Sequence, residues 1–108
     1  MASLRKFIKP KTRIKHNIAY ETVWLDHFET TKNGKKVFGE CRFNPETTPP
    51  IRQIVLSADQ SDSEAFKTYI HEIYHAIETE YEIQIPHKII EALEVATLRF
   101  LKLNGFLK

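Results

Sequence analysis

Residues 61–81, SDSEAFKTYIHEIYHAIETEY, contain the signals that decide how this chain folds. Ser61 is a good helix N-cap, and Glu64 three residues later completes the pattern of a capping box, in which each side chain bonds the backbone N–H of the other residue. The acidic residues just after Ser61 also favour the positive end of a helix dipole. The segment therefore predicts a helix that begins near residue 62.

One side of this predicted helix is apolar, and another side carries two histidines. Four apolar residues recur at spacings of four, three and four, the period of a helix face that packs on a core: Phe66, Ile70, Ile73 and Ile77. At about 100° per residue, His71 and His75 lie roughly 140–160° from the centre of that stripe. We therefore expect the helix to bury one face and to present both imidazoles in a cleft. Glu78 and Glu82 continue the histidine face and are interpreted as solvated.

The pentapeptide His71-Glu72-Ile73-Tyr74-His75 is an HExxH motif. Two histidines four residues apart on a helix can bind one Zn²⁺ together, and the glutamate between them can reach a metal-bound water as a general base. A shuffled chain of this composition would contain the motif in roughly two cases per hundred, so chance is a weak explanation. His71 and His75 are the predicted zinc ligands, and Glu72 is the predicted catalytic base.

A catalytic zinc needs a third protein ligand and an open position for water. The downstream sequence offers three candidates, His87, Glu91 and Glu94. On a helix, Glu91 should point furthest into solvent, while His87 and Glu94 are two turns, about 10 Å, apart and cannot easily bind the same ion. Geometry alone mildly favours Glu94, because His87 reaches the ion only if the connection before it folds back along the motif helix.

Upstream of the motif, the sequence has the composition and period of β-strands. The run at residues 17–30, NIAYETVWLDHFET, is rich in β-branched and aromatic residues and predicts one long strand. Asn33-Gly34 predicts a type I′ turn, since that turn needs positive φ at both central positions, and a second strand at residues 37–43 would complete a hairpin. Three prolines make residues 44–50 a loop, and residues 51–57 are predicted as a third strand.

A second helix is predicted from about His87 to Leu103, with Pro86 at its first turn and Asn104-Gly105 as its stop signal. Its predicted buried stripe consists of Ile89, Ile90, Leu93, Ala96, Thr97, Phe100 and Leu101. Two helices packed on a small antiparallel sheet make an α+β domain.

The composition fits one small globular domain. A chain of 108 residues, 42% hydrophobic and 28% charged, can bury a modest core without disulfides. Cys41 is the only cysteine, which excludes a disulfide framework and a cysteine-rich zinc site. No apolar run approaches the roughly 20 residues of a membrane span, and the N-terminus lacks the apolar core of a signal peptide. We therefore expect a cytoplasmic protein without a membrane partner.

Positive charge is concentrated at the N-terminus. Residues 1–15 contain six cations and no acid, so they carry +6, while the remaining residues carry −4 and the sum is +2. We interpret residues 1–16 as a basic arm and residues 17–108 as the single folded domain. Such an arm can contact nucleic-acid phosphates, although short basic termini are more often solvated ends.

The segment HEIYHAIE at residues 71–78, preceded by strands and followed by a second helix with His and Glu, resembles the minimal zinc metallopeptidases of the ImmA/IrrE and SprT-like groups. Small phage-encoded members look most similar, and the resemblance covers residues 51–104 well. It implies a zincin-like domain in which an edge strand, here residues 51–57, holds an extended peptide. A histidine that opens a helix after a short loop is similar to the third ligand of SprT-like proteins, so His87 is our first choice, ahead of Glu94.

The leading hypothesis is a cytoplasmic zinc metallopeptidase in which Zn²⁺ polarises the scissile carbonyl of a peptide or protein substrate and Glu72 takes the proton of the metal-bound water. One alternative is a regulatory or nucleic-acid-binding domain that keeps zinc for stability and cuts nothing. Another is a subunit whose motif is accidental. Tyr74 and Tyr81 are weaker candidates for a hydrogen-bond donor to an oxyanion.

Overall fold

The structure is a computed structural model that describes residues 4–26, 30–32 and 35–107. Within these residues, a 3₁₀ turn at Leu4–Phe7 precedes strands β1 Lys11–Lys15, β2 Ile18–Leu25, β3 Thr30–Lys32, β4 Lys35–Val37, β5 Gly39–Asn44 and β6 Ile51–Ser57, and helices α1 Asp62–Tyr81 and α2 His87–Leu103. The predicted α+β class is confirmed. α1 packs on the sheet, and α2 packs on α1. Neither of these described helices has the length and apolar character needed to cross a membrane.

The main sheet has four strands in the order β1-β2-β6-β5. The outer pairs are antiparallel, but β2 and β6 run parallel, with Glu21 opposite Gln53 and Leu25 opposite Ser57. The prediction of a wholly antiparallel sheet is therefore wrong for the central pair. A parallel pair needs a long connection between its strands, and residues 26–50 provide it. The expectation that residues 51–57 form an edge strand is also wrong, because β6 is paired on both sides.

The predicted hairpin is confirmed only as a short ladder beside the predicted turn, in which β3 pairs with β4, with Thr30 opposite Val37 and Lys32 opposite Lys35. Most of the two proposed segments do not pair with each other, because β2 ends at Leu25 and pairs with β6. The predicted turn residues Asn33-Gly34 lie outside the described residues. The second predicted strand is β5, which begins at Gly39 and pairs with β6. The composition of a strand is a local property, whereas its partner is chosen by the faces that must be buried together.

The described part of the basic N-terminal segment, residues 4–15, packs on the rest of the domain. β1 is an edge strand of the main sheet, Ile8 is buried in the core, and the ring of Phe7 meets the ring of Phe66 edge-on at a centroid separation of 6.4 Å. Arg5 Nε donates a hydrogen bond of 2.7 Å to Asp62 Oδ1. Apolar residues alternate with the cations of this segment and pack on the domain, which is why its charge alone describes it poorly.

α1 begins where the sequence predicts. Asp62 is its first residue, and the side-chain oxygen of Ser61 accepts a hydrogen bond from the backbone N–H of Glu64. The buried residues of the helix are Ala65, Phe66, Tyr69, Ile70, Glu72 and Ala76. Phe66 and Ile70 of the predicted stripe are therefore buried, while Ile73 and Ile77 are only partly covered. The buried face is wider than predicted because α1 packs between the sheet and α2.

α2 has the predicted bounds but buries less of its apolar surface than predicted. Ile90 is 0% exposed and Leu101 packs against the core, whereas Ile89 and Phe100 are 43% and 56% exposed and Ala96 is exposed as well. The prediction of the buried stripe is therefore correct for Ile90 and wrong for these last three residues. A helix that packs on only one other helix can cover only a narrow strip of its surface.

Ile90→Ala is expected to lower the free energy of unfolding by about 2–5 kcal/mol, because it removes a fully buried side chain and leaves a cavity. Leu103→Ala is the matched control on the same helix, since Leu103 is 78% exposed. Its expected change is within about 0.5 kcal/mol. Urea unfolding of both variants checks this result, and equal losses of stability would contradict the observed orientation of α2.

Candidate metal centre

Three histidines from the two helices converge on one side of α1. His71 and His75 lie one turn apart on α1, and their Nε2 atoms are 3.2 Å apart. The ring centroid of His87, the first residue of α2, lies 5.0 Å from that of His71 and 5.9 Å from that of His75. One nitrogen from each histidine lies within 4.8 Å of the other two. The structure thus brings together the three residues predicted as zinc ligands.

The connection between the helices explains how His87 reaches the other two histidines. Glu82 ends α1 in the left-handed conformation, with φ of 53°, and its backbone N–H donates to the carbonyl oxygen of Glu78. The backbone N–H of Ile83 donates to the same oxygen at 3.1 Å. The N–H of Ile85 donates to the side-chain Oε2 of Glu78 at 2.8 Å. The left-handed residue reverses the chain, so the connection folds back along α1, as a His87 ligand requires.

Carboxylates orient both histidines of α1. Nδ1 of His71 lies 3.1 Å from Oε2 of Glu94, and Nδ1 of His75 lies 2.8 Å from Oε1 of Glu78. An ionised carboxylate can only accept a hydrogen bond, so beside an ionised glutamate each Nδ1 carries the proton and donates it. In the neutral ring the Nε2 lone pair is then free, and the two Nε2 atoms face each other. Metal-binding histidines in proteins are commonly held by outer carboxylates in this way.

The donor set fits zinc. With Zn–N bonds of 2.0–2.1 Å in a tetrahedral site, neighbouring ligand nitrogens are about 3.3 Å apart, which is close to the 3.2 Å between the Nε2 atoms of His71 and His75. Two unprotonated nitrogens at this distance repel each other unless a cation lies between them. The three nitrogens lie within 4.8 Å of one another, so the third would need to approach by at most about 1.5 Å to reach the same spacing. The side chain of His87 is 62% exposed, which leaves it room to move.

Glu94 and Glu91, the two alternative candidates for the third ligand, contact histidine side chains and do not lie where the three imidazoles converge. Glu94 lies against Nδ1 of His71, the ring nitrogen that is not directed at His75. Glu91 Oε1 lies 3.2 Å from His87 Nε2, and both of these side chains are mostly exposed. Among the described residues, the group of converging ligand atoms includes neither glutamate. Their positions suit residues that orient the imidazoles.

Glu72 lines the same cleft as His71 and is only 6% exposed. The cleft has a volume of about 250 Å³ and is also bordered by His87 and by Phe38 and Gly39 at the start of β5. A Cβ atom at position 39 would lie 3.3 Å from Oε2 of Glu72 and would overlap the methyl group of Thr68. Glycine at this position therefore lets β5 approach the motif helix closely.

Burial controls the protonation of the groups around the cleft. Burial, together with the positive charges that His75 and His87 can carry, lowers the pKa of His71 to about 4. His71 is therefore neutral at pH 7, the form that binds a metal. Burial raises the pKa of Glu94. Burial and the nearby carboxylate of Glu72 raise the pKa of Cys41 to about 12, so this thiol is protonated at pH 7. Among the described residues, the group of converging ligand atoms does not include Cys41.

The two tyrosine candidates do not border the cleft. The hydroxyl of Tyr74 lies 2.7 Å from Oγ1 of Thr97 and joins the two helices. The hydroxyl of Tyr81 donates to the carbonyl oxygen of Ile14 at 3.5 Å.

The interpretation of Glu78 as a solvated residue is wrong, because its carboxylate contacts His75. Its spacing of three residues after a predicted ligand is the sequence signal that could have found it.

No family model, no curated protein and no solved structure matches this chain. The resemblance to minimal zinc metallopeptidases therefore depends on the sequence motif alone and stays a prediction.

Proposed function

We propose that this protein is a zinc-dependent metallopeptidase that hydrolyses peptide bonds in the cleft between α1, α2 and β5. The observation that carries the proposal is the convergence of the Nε2 atoms of His71 and His75 at 3.2 Å, with His87 beside them. Three imidazoles with the remaining side open to a cleft are a typical donor set of catalytic zinc.

The residues around the histidines have roles in the proposed reaction. Zinc bound at this site would polarise the scissile carbonyl and lower the pKa of a water molecule. Glu72 borders the same cleft, and its carboxylate can accept the proton of the attacking water. Glu78 and Glu94 keep His75 and His71 in the tautomer whose Nε2 is unprotonated. Each of these roles follows from a contact with the cleft or with a histidine.

β5 is the strand best suited to hold an extended substrate. Within the described residues it pairs with β6 on one side only, so the backbone groups on its other edge can pair with a peptide. Phe38 and Gly39, at the start of β5, border the cleft that contains Glu72. A peptide added to this edge would pass beside the general base. We therefore infer a peptide or protein substrate bound in extended form.

Protein purified without added metal is expected to contain about one zinc per chain and to lose thermal stability when a chelator removes it, because a ligand that binds only the folded state stabilises that state. Elemental analysis and thermal unfolding with and without chelator measure both effects. The double variant His71→Ala/His75→Ala is the control, and its melting temperature should not respond to the chelator. Absence of zinc together with no uptake on titration would contradict every function that depends on the metal.

Cleavage of a peptide library by the zinc-loaded protein tests the enzymatic proposal directly. Inhibition by a chelator, with recovery of activity when zinc is restored, is the expected result. A domain that keeps zinc only for stability would bind the metal and cut no peptide. That outcome would favour the alternative of a non-catalytic regulatory or nucleic-acid-binding domain.

A further inference from the structure

A second cleft, with a volume of about 500 Å³, lies at the edge strand β1. Its lining residues contribute nothing to the metal centre: Phe7, Lys9, Lys11, Thr12, Arg13 and Tyr69. We propose that this cleft binds single-stranded nucleic acid, with one base inside the cleft and the backbone phosphates on the cations at its rim. This proposal is independent of the peptidase activity.

The cations at the rim are available to a ligand. Lys9, Lys11 and Arg13 are exposed, and within the part of the chain that the structure describes none of them forms an ion pair. Arg5 of the same segment differs, since its side chain is bonded to Asp62. Residues 1–15 include no acid that could compete for these charges. Glu21 of the neighbouring strand β2 lies opposite Lys11 in the sheet, so the three cations outnumber this acid and leave a net positive charge for an anionic partner.

The interior of the cleft suits a planar base. Phe7 contributes an aromatic wall, and bases of any sequence can stack on such side chains. The hydroxyls of Thr12 and Tyr69 are hydrogen-bonded to each other and also line the cleft, so they can bond the polar edge of a base. The volume falls within the roughly 300–1,000 Å³ of pockets that bind small organic groups. A carboxylate of an acidic peptide would leave most of this space and the aromatic wall unused.

The extended shape of β1 favours a linear polyanion. Residues 11 and 13 are two positions apart on a strand, so their Cα atoms are separated by roughly 6.6 Å and their side chains leave the same side of it. The cations thus follow one another along the rim, as the phosphates do along a single strand. Bases in a duplex are stacked and paired inside the helix, and they cannot enter the cleft without unpairing. We therefore favour a single strand over a duplex.

The electrostatic part of the proposal is tested by fluorescence anisotropy with a labelled oligodeoxythymidine of about 20 nucleotides, a length beyond the roughly 4–16 nucleotides of typical single-strand sites. The test variant is Lys9→Gln/Lys11→Gln/Arg13→Gln. The matched control removes three exposed cations from α2 instead, as Lys88→Gln/Arg99→Gln/Lys102→Gln. The logarithm of the affinity falls as the logarithm of the salt concentration rises, and each phosphate contact contributes about 0.7 to the steepness of this fall for single strands. The test variant should therefore make the fall less steep by about 2. The control should keep the slope of the unmodified protein.

Equal losses in the two triple variants would overturn the proposal, because the binding would then depend on total charge and not on the cleft. If the test variant fails to fold, as judged by circular dichroism, the single variant Arg13→Gln replaces it. In this variant the fall of log affinity with log salt should become less steep by about 0.7. An unchanged slope in that variant would equally contradict the proposal.

The role of the nucleobase is tested with two further probes of matched charge, an abasic oligonucleotide and polyglutamate. Both offer anions to the rim but no base to the cleft, so each should bind about tenfold more weakly than oligodeoxythymidine. Double-stranded DNA should also bind more weakly than the single strand. Equal affinity for polyglutamate would identify an acidic peptide as the partner, and equal affinity for the abasic strand or the duplex would exclude the base from the cleft.

Discussion

Glu72→Gln is expected to abolish detectable peptide hydrolysis, with a decrease in kcat/KM of at least about 10²–10⁴-fold, while the protein keeps its zinc and its fold. The amide has nearly the shape of the carboxylate but cannot accept the proton of the attacking water. His71 and His75 remain unchanged in this variant and still provide their Nε2 atoms. Initial rates on a cleaved peptide, together with the zinc content of the same samples, measure the effect.

Glu64→Gln is the matched control for this experiment. Glu64 borders the same cleft and lies on the same helix, but it is exposed at the first turn of α1. Its replacement should change kcat/KM by no more than about twofold, the size expected of a surface substitution. If Glu72→Gln hydrolysed peptides as fast as the unmodified protein, Glu72 would not be the base. If it lost zinc together with activity, Glu72 would have a role in binding the metal.

His87→Ala is expected to weaken zinc binding by about 10³-fold or more, because it would remove one of the three proposed ligands from a site that needs all three. Glu94→Ala should reduce the affinity only by about 10–100-fold, since Glu94 lies against Nδ1 of His71 and orients that ring. Competition titrations with a coloured chelator give both dissociation constants under identical conditions. The order of the two effects identifies the third ligand.

Glu91→Ala provides the control for a lost carboxylate near His87. Its side chain is mostly exposed, so this variant should lose less than about tenfold in zinc affinity. Tight binding retained by His87→Ala and lost by Glu94→Ala would reverse the assignment and make Glu94 the ligand. Circular dichroism of all three variants separates loss of the metal from loss of the fold.

The two helices and the motif on the first of them are readable from the sequence, because their signals are local. Ser61 caps α1 through the backbone N–H of Glu64, as the spacing of these residues predicts. The bounds of α2, His87–Leu103, follow from Pro86 before it and Asn104 after it. The proximity of His71 to His75 is a property of any helix with this spacing. Each of these features depends on neighbours within about four residues.

The pairing of the strands and the surroundings of the histidines were decided by tertiary structure. β2 pairs with β6, distant in sequence, and not with the nearer β5. Composition reports that a segment is extended, but not which backbone edge it meets. For the same reason the sequence did not predict that β1 belongs to the sheet, and its cations suggested a solvated arm. The sequence also did not predict which side of α2 is exposed, since the number of elements that pack around a helix depends on the whole fold.

His87 shows most clearly what the sequence determines and what only the tertiary structure determines. The sequence alone left His87, Glu91 and Glu94 as candidates, because helical spacing fixes the angles around one helix but not the path between two. The left-handed Glu82 and the hydrogen bond from Ile85 to Glu78 turn that path back along α1. The sequence determined which residue types could bind a metal and where the helices begin and end. Only the folded chain determined which of them meet, because contacts between helices depend on the direction of the connection that joins them.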